Sequence, residues 1–194
     1  MALGDAGNGV PGGAPDVEVK RRMRSSTETV YGLVSDVTRM GDWSPETTSC
    51  RWVGGARGPV VGAKFRGTNR FRWMRWTTTC TVVAADAGKR FAFDVAEGPI
   101  PVSRWSFDFV PETGSGAAGG DEGGHGAGEA AGEPLCTVTE SWTDARPRWF
   151  ARIVGTAMGI PNRAAHNRRT MEATLDALAA ASEVAASARP TEAT

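Results

Sequence analysis

The carboxyl group of Glu140 is the side chain of this sequence best suited to acid–base chemistry. It lies in the stretch 136–142 (CTVTESW), where apolar and polar residues alternate as in a half-buried β-strand. The alternation places Glu140 on the inner face with Cys136 and Trp142. Because apolar surroundings raise the pKa of a carboxyl group, Glu140 could move a proton on an enolisable ligand. The alternative is a structural ion pair or a bond to a backbone donor.

Two other polar side chains could contact a ligand. Alternation in the stretch 65–71 places Asn69 inward, where its amide could bind a ligand carbonyl or be satisfied within the core. His166 lies about one residue off the apolar stripe of the last helix, so it could reach a pocket as a ligand contact or proton-transfer group, or face solvent. The other histidine, His125, lies in a glycine-rich segment and is predicted to be inert.

The motifs of covalent and cofactor-dependent catalysis are missing from the sequence. It contains no Gly-x-Ser-x-Gly elbow, no dinucleotide fingerprint and no phosphate-binding glycine motif. Three widely spaced cysteines and two histidines do not predict a metal site or a disulfide framework. We therefore expect no cofactor and no metal. The cysteines are predicted to be free, and the sequence has neither an apolar run long enough for a membrane span nor a secretory signal. These three features favour a cytoplasmic protein.

Glycine-rich segments divide the chain. Residues 111–134 hold nine glycines and five acids without a base, and we expect this insertion to be flexible. Residues 1–15 and the tail 183–194 are also predicted to be disordered, which leaves a single domain over 16–182. The formal net charge is zero, and the arginine-rich composition is attributed to the genome rather than to nucleic-acid binding.

Periodicity predicts one strand, a helix, six further strands and a long helix. The first helix follows the capping residues Ser25, Ser26 and Thr27, and the last has Asn162 as its cap. The strands are expected near 16–23, 49–54, 62–72, 75–85, 89–97, 102–110 and 135–144. This order predicts an α+β fold in which a curved antiparallel sheet of six to seven strands wraps around the C-terminal helix.

One face of this sheet is rich in aromatic residues, whereas the facing helix offers smaller side chains such as Ala164 and Met171. The difference predicts an internal cavity, with a fully packed core as the alternative. Trp43, in the turn after the first helix, is either at the pocket rim or structural. The predicted ligand contacts are Trp43, Trp52, Phe65, Asn69, Trp76, Thr78, Phe91, Phe93, Trp105, Phe107, Trp142, Met158, Met171 and Leu175.

Five motifs occur in an order that resembles a known superfamily. They are 34–45 (VSDVTRMGDWSP), 61–67 (VGAKFRG), 76–83 (WTTTCTVV), 88–94 (GKRFAFD) and 137–144 (TVTESWTD). They resemble the SRPBCC superfamily, and within it the actinobacterial polyketide cyclase/dehydrase-like branch, over 16–182 apart from the insertion. The resemblance implies a START or Bet v 1-like helix-grip fold with a deep hydrophobic pocket between sheet and last helix. It does not fix the activity, because the superfamily includes binding proteins, lipid carriers and cyclases.

These observations support three functions. The first is non-covalent binding of a hydrophobic, polyketide- or lipid-like small molecule, with Gly155, Gly159 and Pro161 as a flexible mouth or an ordinary turn. The second is a cyclase or dehydratase in which Glu140, helped by Asn69 or His166, transfers protons. The third is a lipid carrier that touches membranes through the hairpin 71–76 (FRWMRW), whose aromatic residues could instead be covered by a neighbouring loop.

Overall fold

A computed structural model describes residues 13–112, 134–147, 160 and 162–187 of the chain. Most of the predicted insertion and most of both predicted disordered ends lie outside these residues, as do Met158 and the glycine-containing mouth. Pro111 and Glu112, which were assigned to the insertion, belong instead to a strand. Residues 183–187 of the predicted tail are helical.

The described elements form a seven-stranded antiparallel sheet and a long C-terminal helix, which confirms the predicted α+β, helix-grip class. In chain order they are β1 (Val17–Met23), α1 (Thr27–Ser35), a 3₁₀ helix (Val37–Asp42), β2 (Thr47–Val53), β3 (Lys64–Phe71), β4 (Met74–Asp86), β5 (Arg90–Glu97), β6 (Ile100–Glu112), β7 (Leu135–Asp144) and α2 (Arg163–Ser187). The strand order is β1-β7-β6-β5-β4-β3-β2. The segment with α1 therefore crosses from one edge of the sheet to the other, and successive antiparallel pairs return the chain to β1.

Local chemistry fixes where the helices begin. Ser26 caps α1, because its Oγ accepts a hydrogen bond from the Thr29 N–H at 3.2 Å. Asn162 does the same for α2, where its Oδ1 accepts from the Ala165 N–H at 2.9 Å. Both helices are thus capped at their N-termini, which fixes where each helix begins.

The core lies between the sheet and α2 and is closed at one end by α1. Phe91, Phe109 and Val138 of the sheet pack there against Leu175 and Leu178 of α2. The face that α2 buries consists of Asn167, Met171, Thr174, Leu175, Leu178 and Ser182. The expectation that Ala164 also faces the sheet is wrong, because this residue of the first turn of α2 is exposed.

The outer face of β5 and β6 is polar, as the alternation predicts. Asp94 accepts two hydrogen bonds from the Arg104 guanidinium, at 2.6 and 2.9 Å. Arg90 and Asp108 form a second cross-strand ion pair at 3.0 Å. In the part of the chain that the structure describes, no helix is long and apolar enough to cross a membrane.

Candidate functional site

A cavity of about 150 Å³ lies between the inner face of the sheet and α2. Most strands, the end of α1, the 3₁₀ helix and the first half of α2 contribute to its wall. Its described lining consists of Val34, Met40, Trp43, Ser44, Glu46, Thr47, Cys50, Phe65, Gly67, Asn69, Trp76, Thr78, Cys80, Phe93, Val95, Val102, Trp105, Phe107, Glu140, Arg163, Thr170, Met171 and Thr174. The interior is therefore not filled by interdigitating rings.

Aromatic rings form the apolar wall of the cavity. Phe65 and Phe93 meet edge to face with their centroids 5.1 Å apart, on neighbouring strands. Trp43 is 6% exposed, so the burial and pocket interpretations of this residue both hold. The predicted contacts that line the cavity are Trp43, Phe65, Asn69, Trp76, Thr78, Phe93, Trp105, Phe107 and Met171.

Four predicted contacts lie behind the lining rather than in it. Trp52 packs against Phe65 with ring centroids 5.7 Å apart. Phe91 and Leu175 belong to the core near α1, and Trp142 packs with Val17 and Met171. Each points to the correct side of the sheet or helix. The cavity does not extend along the whole inner face, so these side chains fill the remainder. Met158 lies outside the described residues.

Glu140 is buried in the cavity wall and has no ionic partner among the described residues. Its residue is 3% exposed, and Oε2 has no hydrogen-bond partner in the structure. Its cross-strand neighbours are Val19 and Phe107, both apolar. Burial raises the pKa of the Glu140 carboxyl well above its ordinary value. No cation of the described residues forms an ion pair with it, so the group can act as a proton donor toward the cavity.

A row of polar side chains crosses another part of the wall. The Ser44 hydroxyl donates to Thr47 Oγ1 at 3.2 Å, and Thr47 donates to Asn69 Oδ1 at 3.1 Å. Asn69 Nδ2 in turn donates to Thr78 Oγ1 at 3.3 Å. Asn69 is thus both a cavity residue and an amide held by its neighbours. One N–H and one acceptor lone pair of this amide remain for a ligand.

His166 adjoins the cavity without lining it. Its Nε2 lies 2.5 Å from Glu46 Oε1, and its ring meets Phe71 edge to face at a centroid distance of 5.0 Å. Glu46 does line the cavity. His166 therefore reaches the site through Glu46 and holds the first turn of α2 against the segment before β2.

Two charged residues of the site were not predicted from the sequence, Glu46 and Arg163. Arg163 lines the cavity, and burial lowers the pKa of its guanidinium, an effect that the charge of Glu46 opposes. Neither residue lies within a regular apolar pattern. One signal was present, because Arg163 precedes Thr170, another lining residue, by seven positions and so shares its helical face. Asn167 and Thr174 lie on this face as well.

The sequence matches a family model described as "Polyketide cyclase / dehydrase and lipid transport" over residues 14–183. The chain belongs to this family. The resemblance to SRPBCC-type polyketide cyclases is thereby confirmed, while its actinobacterial branch stays a prediction. No curated protein matches the chain by sequence. Among the described residues, no group of three or more His, Cys, Asp or Glu side chains is placed to hold a metal ion.

Several solved structures share this fold. A Polyketide_cyc-like protein from Corynebacterium glutamicum has 26% identity and a TM-score of 0.54, covering 91% of this chain and 96% of its own. A protein from Chromobacterium violaceum has 13% identity and a TM-score of 0.54, with coverages of 86% and 96%. The di-domain ARO/CYC StfQ of the steffimycin biosynthetic pathway has 12% identity and a TM-score of 0.58, covering 89% of this chain and 53% of its own.

Proposed function

We propose that this protein binds a hydrophobic small molecule, polyketide- or lipid-like, without covalent attachment. The observation that carries the proposal is the cavity of about 150 Å³, with an aromatic wall and a buried carboxyl group. An apolar cavity of about this volume holds one benzene ring. The ligand class is supported by the family description and by the steffimycin pathway named for one structural neighbour.

The size of the cavity limits what its apolar wall contributes to affinity. Burying a ring removes roughly 150 Å² from water, worth about 4 kcal/mol at about 25 cal/mol per Å². That corresponds to a Kd of about 1 mM before the cost of association. A tightly bound ligand therefore needs more atoms than one ring, and a polar contact in the cavity. We expect those atoms to lie near the partly exposed lining residues Asn69, Trp76 and Val102.

Glu140 supplies the polar contact in this proposal. A protonated carboxyl group in an apolar wall donates a hydrogen bond to a ligand carbonyl or hydroxyl oxygen. The remaining N–H of Asn69 is a second donor. The second candidate function, a cofactor-independent cyclase or dehydratase, is favoured by the same unpaired carboxyl group. Glu140 would then transfer a proton to or from a ligand folded in the cavity.

A cytoplasmic location is part of the proposal. All three cysteines, Cys50, Cys80 and Cys136, are free thiols, and the latter two are buried. Free buried thiols are typical of proteins from reducing compartments.

Thermal shift with a panel of hydrophobic ring-containing metabolites tests binding. We expect at least one member to raise the Tm, and a panel that leaves the Tm unchanged contradicts the proposal. Glu140→Gln then separates binding from catalysis. A pure binder keeps its ligand with reduced affinity, whereas a cyclase loses turnover while retaining binding. Glu183→Gln is the matched control, because Glu183 is an exposed acid on α2.

A further inference from the structure

The outer face of β2, β3 and β4 carries a group of cations that are not paired with any acid among the described residues. Arg51 lies directly opposite Arg66, and Arg70 lies directly opposite Arg75. Like charges in directly opposed positions destabilise a sheet. Lys64 and the turn residue Arg72 extend the group. These six side chains, which we call the basic face, are exposed, and none forms an ion pair in the described structure.

The neighbouring strands of the same sheet show the opposite arrangement. Arg104 pairs with Asp94, and Arg90 pairs with Asp108. The formal net charge of the chain is zero. The unpaired cations are therefore a local feature of one edge of the sheet, not a consequence of a basic protein. The opposed like charges destabilise the sheet by itself, but they concentrate positive charge on one surface. Such a surface favours an anionic partner.

The tip of the β3–β4 hairpin adds an exposed indole to these charges. Trp73 is 80% exposed, more than any other large hydrophobic residue of the described chain. The residue before it, Arg72, has a φ of 54°, a conformation that favours glycine. The Arg72 guanidinium lies over the Phe71 ring, 5.2 Å from its centroid. Arg72 thus occupies a turn position for which its backbone preference does not select it, beside the exposed Trp73.

An exposed tryptophan surrounded by arginines fits the headgroup layer of an anionic bilayer. The indole suits the boundary between acyl chains and headgroups, while the guanidinium groups bind lipid phosphates. A single-stranded nucleic acid would need a row of aromatic residues on which bases stack. The outer face of β3 and β4 instead carries threonines between its cations, at 68, 77, 79 and 81. The chemistry of the patch therefore favours lipid.

We propose that the β3–β4 hairpin and the basic face dock on an anionic lipid bilayer, with Trp73 in the headgroup layer. Asn69 and Trp76, on these same strands, line the cavity on the opposite side of the sheet and are partly exposed. Docking through the hairpin brings that part of the cavity wall near the membrane. The proposal rests on the hairpin and its charges, independently of what the cavity binds.

Co-sedimentation with phosphatidylcholine vesicles, with and without phosphatidylserine, tests this docking. We expect binding to require phosphatidylserine and to weaken as salt is added. Each arginine near such a surface contributes a factor of about five, so R70Q/R75Q should weaken binding about 25-fold. This double variant should keep or raise the Tm, because it removes a like-charge pair. Trp73→Ala should also weaken binding, and Arg72→Gly should weaken it while raising the Tm.

Matched controls remove the same groups elsewhere. Lys89→Gln removes an exposed cation from the β4–β5 turn at the other end of β4, and Val184→Ala trims an exposed apolar residue on α2. Both should bind vesicles like the wild type. The proposal is overturned if vesicle binding does not depend on phosphatidylserine, or if the controls lose as much vesicle affinity as the hairpin variants. It is also overturned if Trp73→Ala binds normally while an oligonucleotide competes with the vesicles. Ligand-induced thermal shifts of the same variants report on the cavity separately.

Discussion

His166 Nε2 lies 2.5 Å from Glu46 Oε1 and thereby joins the first turn of α2 to the segment that precedes β2. The backbone carbonyl of Glu46 also accepts a hydrogen bond from the Arg70 N–H at 2.8 Å. Glu46 is therefore fixed by two elements at once, and it is Glu46 rather than His166 that lines the cavity. The geometry makes His166 a positioning residue.

Replacing His166 with alanine should lower stability more than it lowers ligand affinity. The change removes a hydrogen bond between partly buried groups, worth about 1.5–3 kcal/mol when one partner is charged, and the edge-on contact with Phe71. Urea unfolding measures the loss. Glu46→Gln is the comparison variant, because its amide oxygen can still accept from the imidazole, and it should cost less. A His166→Ala variant of normal stability that no longer binds ligand would instead show that His166 contacts the ligand.

Glu140 should make the stability of the protein depend on pH. Because its pKa is raised in the folded state, the folded protein retains a proton that the unfolded chain releases. This contribution is complete below the unfolded pKa of about 4.3 and is lost as pH rises through the folded value. The wild type should lose up to about 1.4 kcal/mol per pH unit in that window. Glu140→Gln should abolish this loss.

Urea unfolding of the wild type and Glu140→Gln between pH 5 and pH 8 measures this difference. Ionisation of these thiols does not contribute to the pH dependence in this range, since burial raises the pKa of both Cys50 and Cys136 to about 11. Glu183→Gln should follow the wild type across the range. Parallel pH profiles for the wild type and Glu140→Gln would show that the carboxyl group is not desolvated as the structure describes.

Alternation along the chain was sufficient to predict the fold and the face of each strand. Phe65, Phe93 and Glu140 point inward because side chains on a strand alternate regardless of their tertiary surroundings. Alternation does not show how far the cavity extends along the inner face of the sheet. Trp52 and Phe91 therefore look equivalent to Phe65 in the sequence, yet they fill the space behind the cavity wall.

The positions of the charged residues in the site depend on long-range contacts, which cannot be read from a single sequence. Glu46 and His166 are 120 positions apart, and they meet because α2 begins where β2 begins. The residue type of Arg163 argues against a place in the cavity wall, since arginine is rarely buried. Its helical spacing is compatible with that place, which also requires the first turn of α2 to lie against the sheet.

Adding a methyl group at Gly67 should reduce ligand affinity. A Cβ at this position would lie 3.3 Å from Thr78 Oγ1 and 3.4 Å from Cys50 Sγ, both in the cavity wall. A misfit of one methyl group in an apolar pocket is worth about 1–3 kcal/mol, or roughly 10- to 200-fold in affinity. Titration calorimetry with a ligand found by the thermal-shift panel measures the effect.

Gly32→Ala is the control for Gly67→Ala. Its added Cβ meets no atom within 4 Å, and Gly32 is an exposed residue of α1 that does not line the cavity. It should raise stability by about 1 kcal/mol, as alanine does for glycine within a helix, and leave affinity unchanged. Equal affinity of Gly67→Ala and the wild type would place the ligand outside this cavity.

Met171→Ala and Leu178→Ala should cost similar stability but differ in their effect on binding. Both side chains are fully buried on the same face of α2, and removing either should destabilise the protein by about 2–5 kcal/mol. Met171 lines the cavity and Leu178 does not, so only Met171→Ala enlarges the space open to a ligand. We therefore expect Met171→Ala to prefer larger ring systems than the wild type in the thermal-shift panel. Leu178→Ala should keep the wild-type ranking of ligands at a lower Tm, and a change of ranking in Leu178→Ala alone would mean that ligands occupy the core near α1 instead.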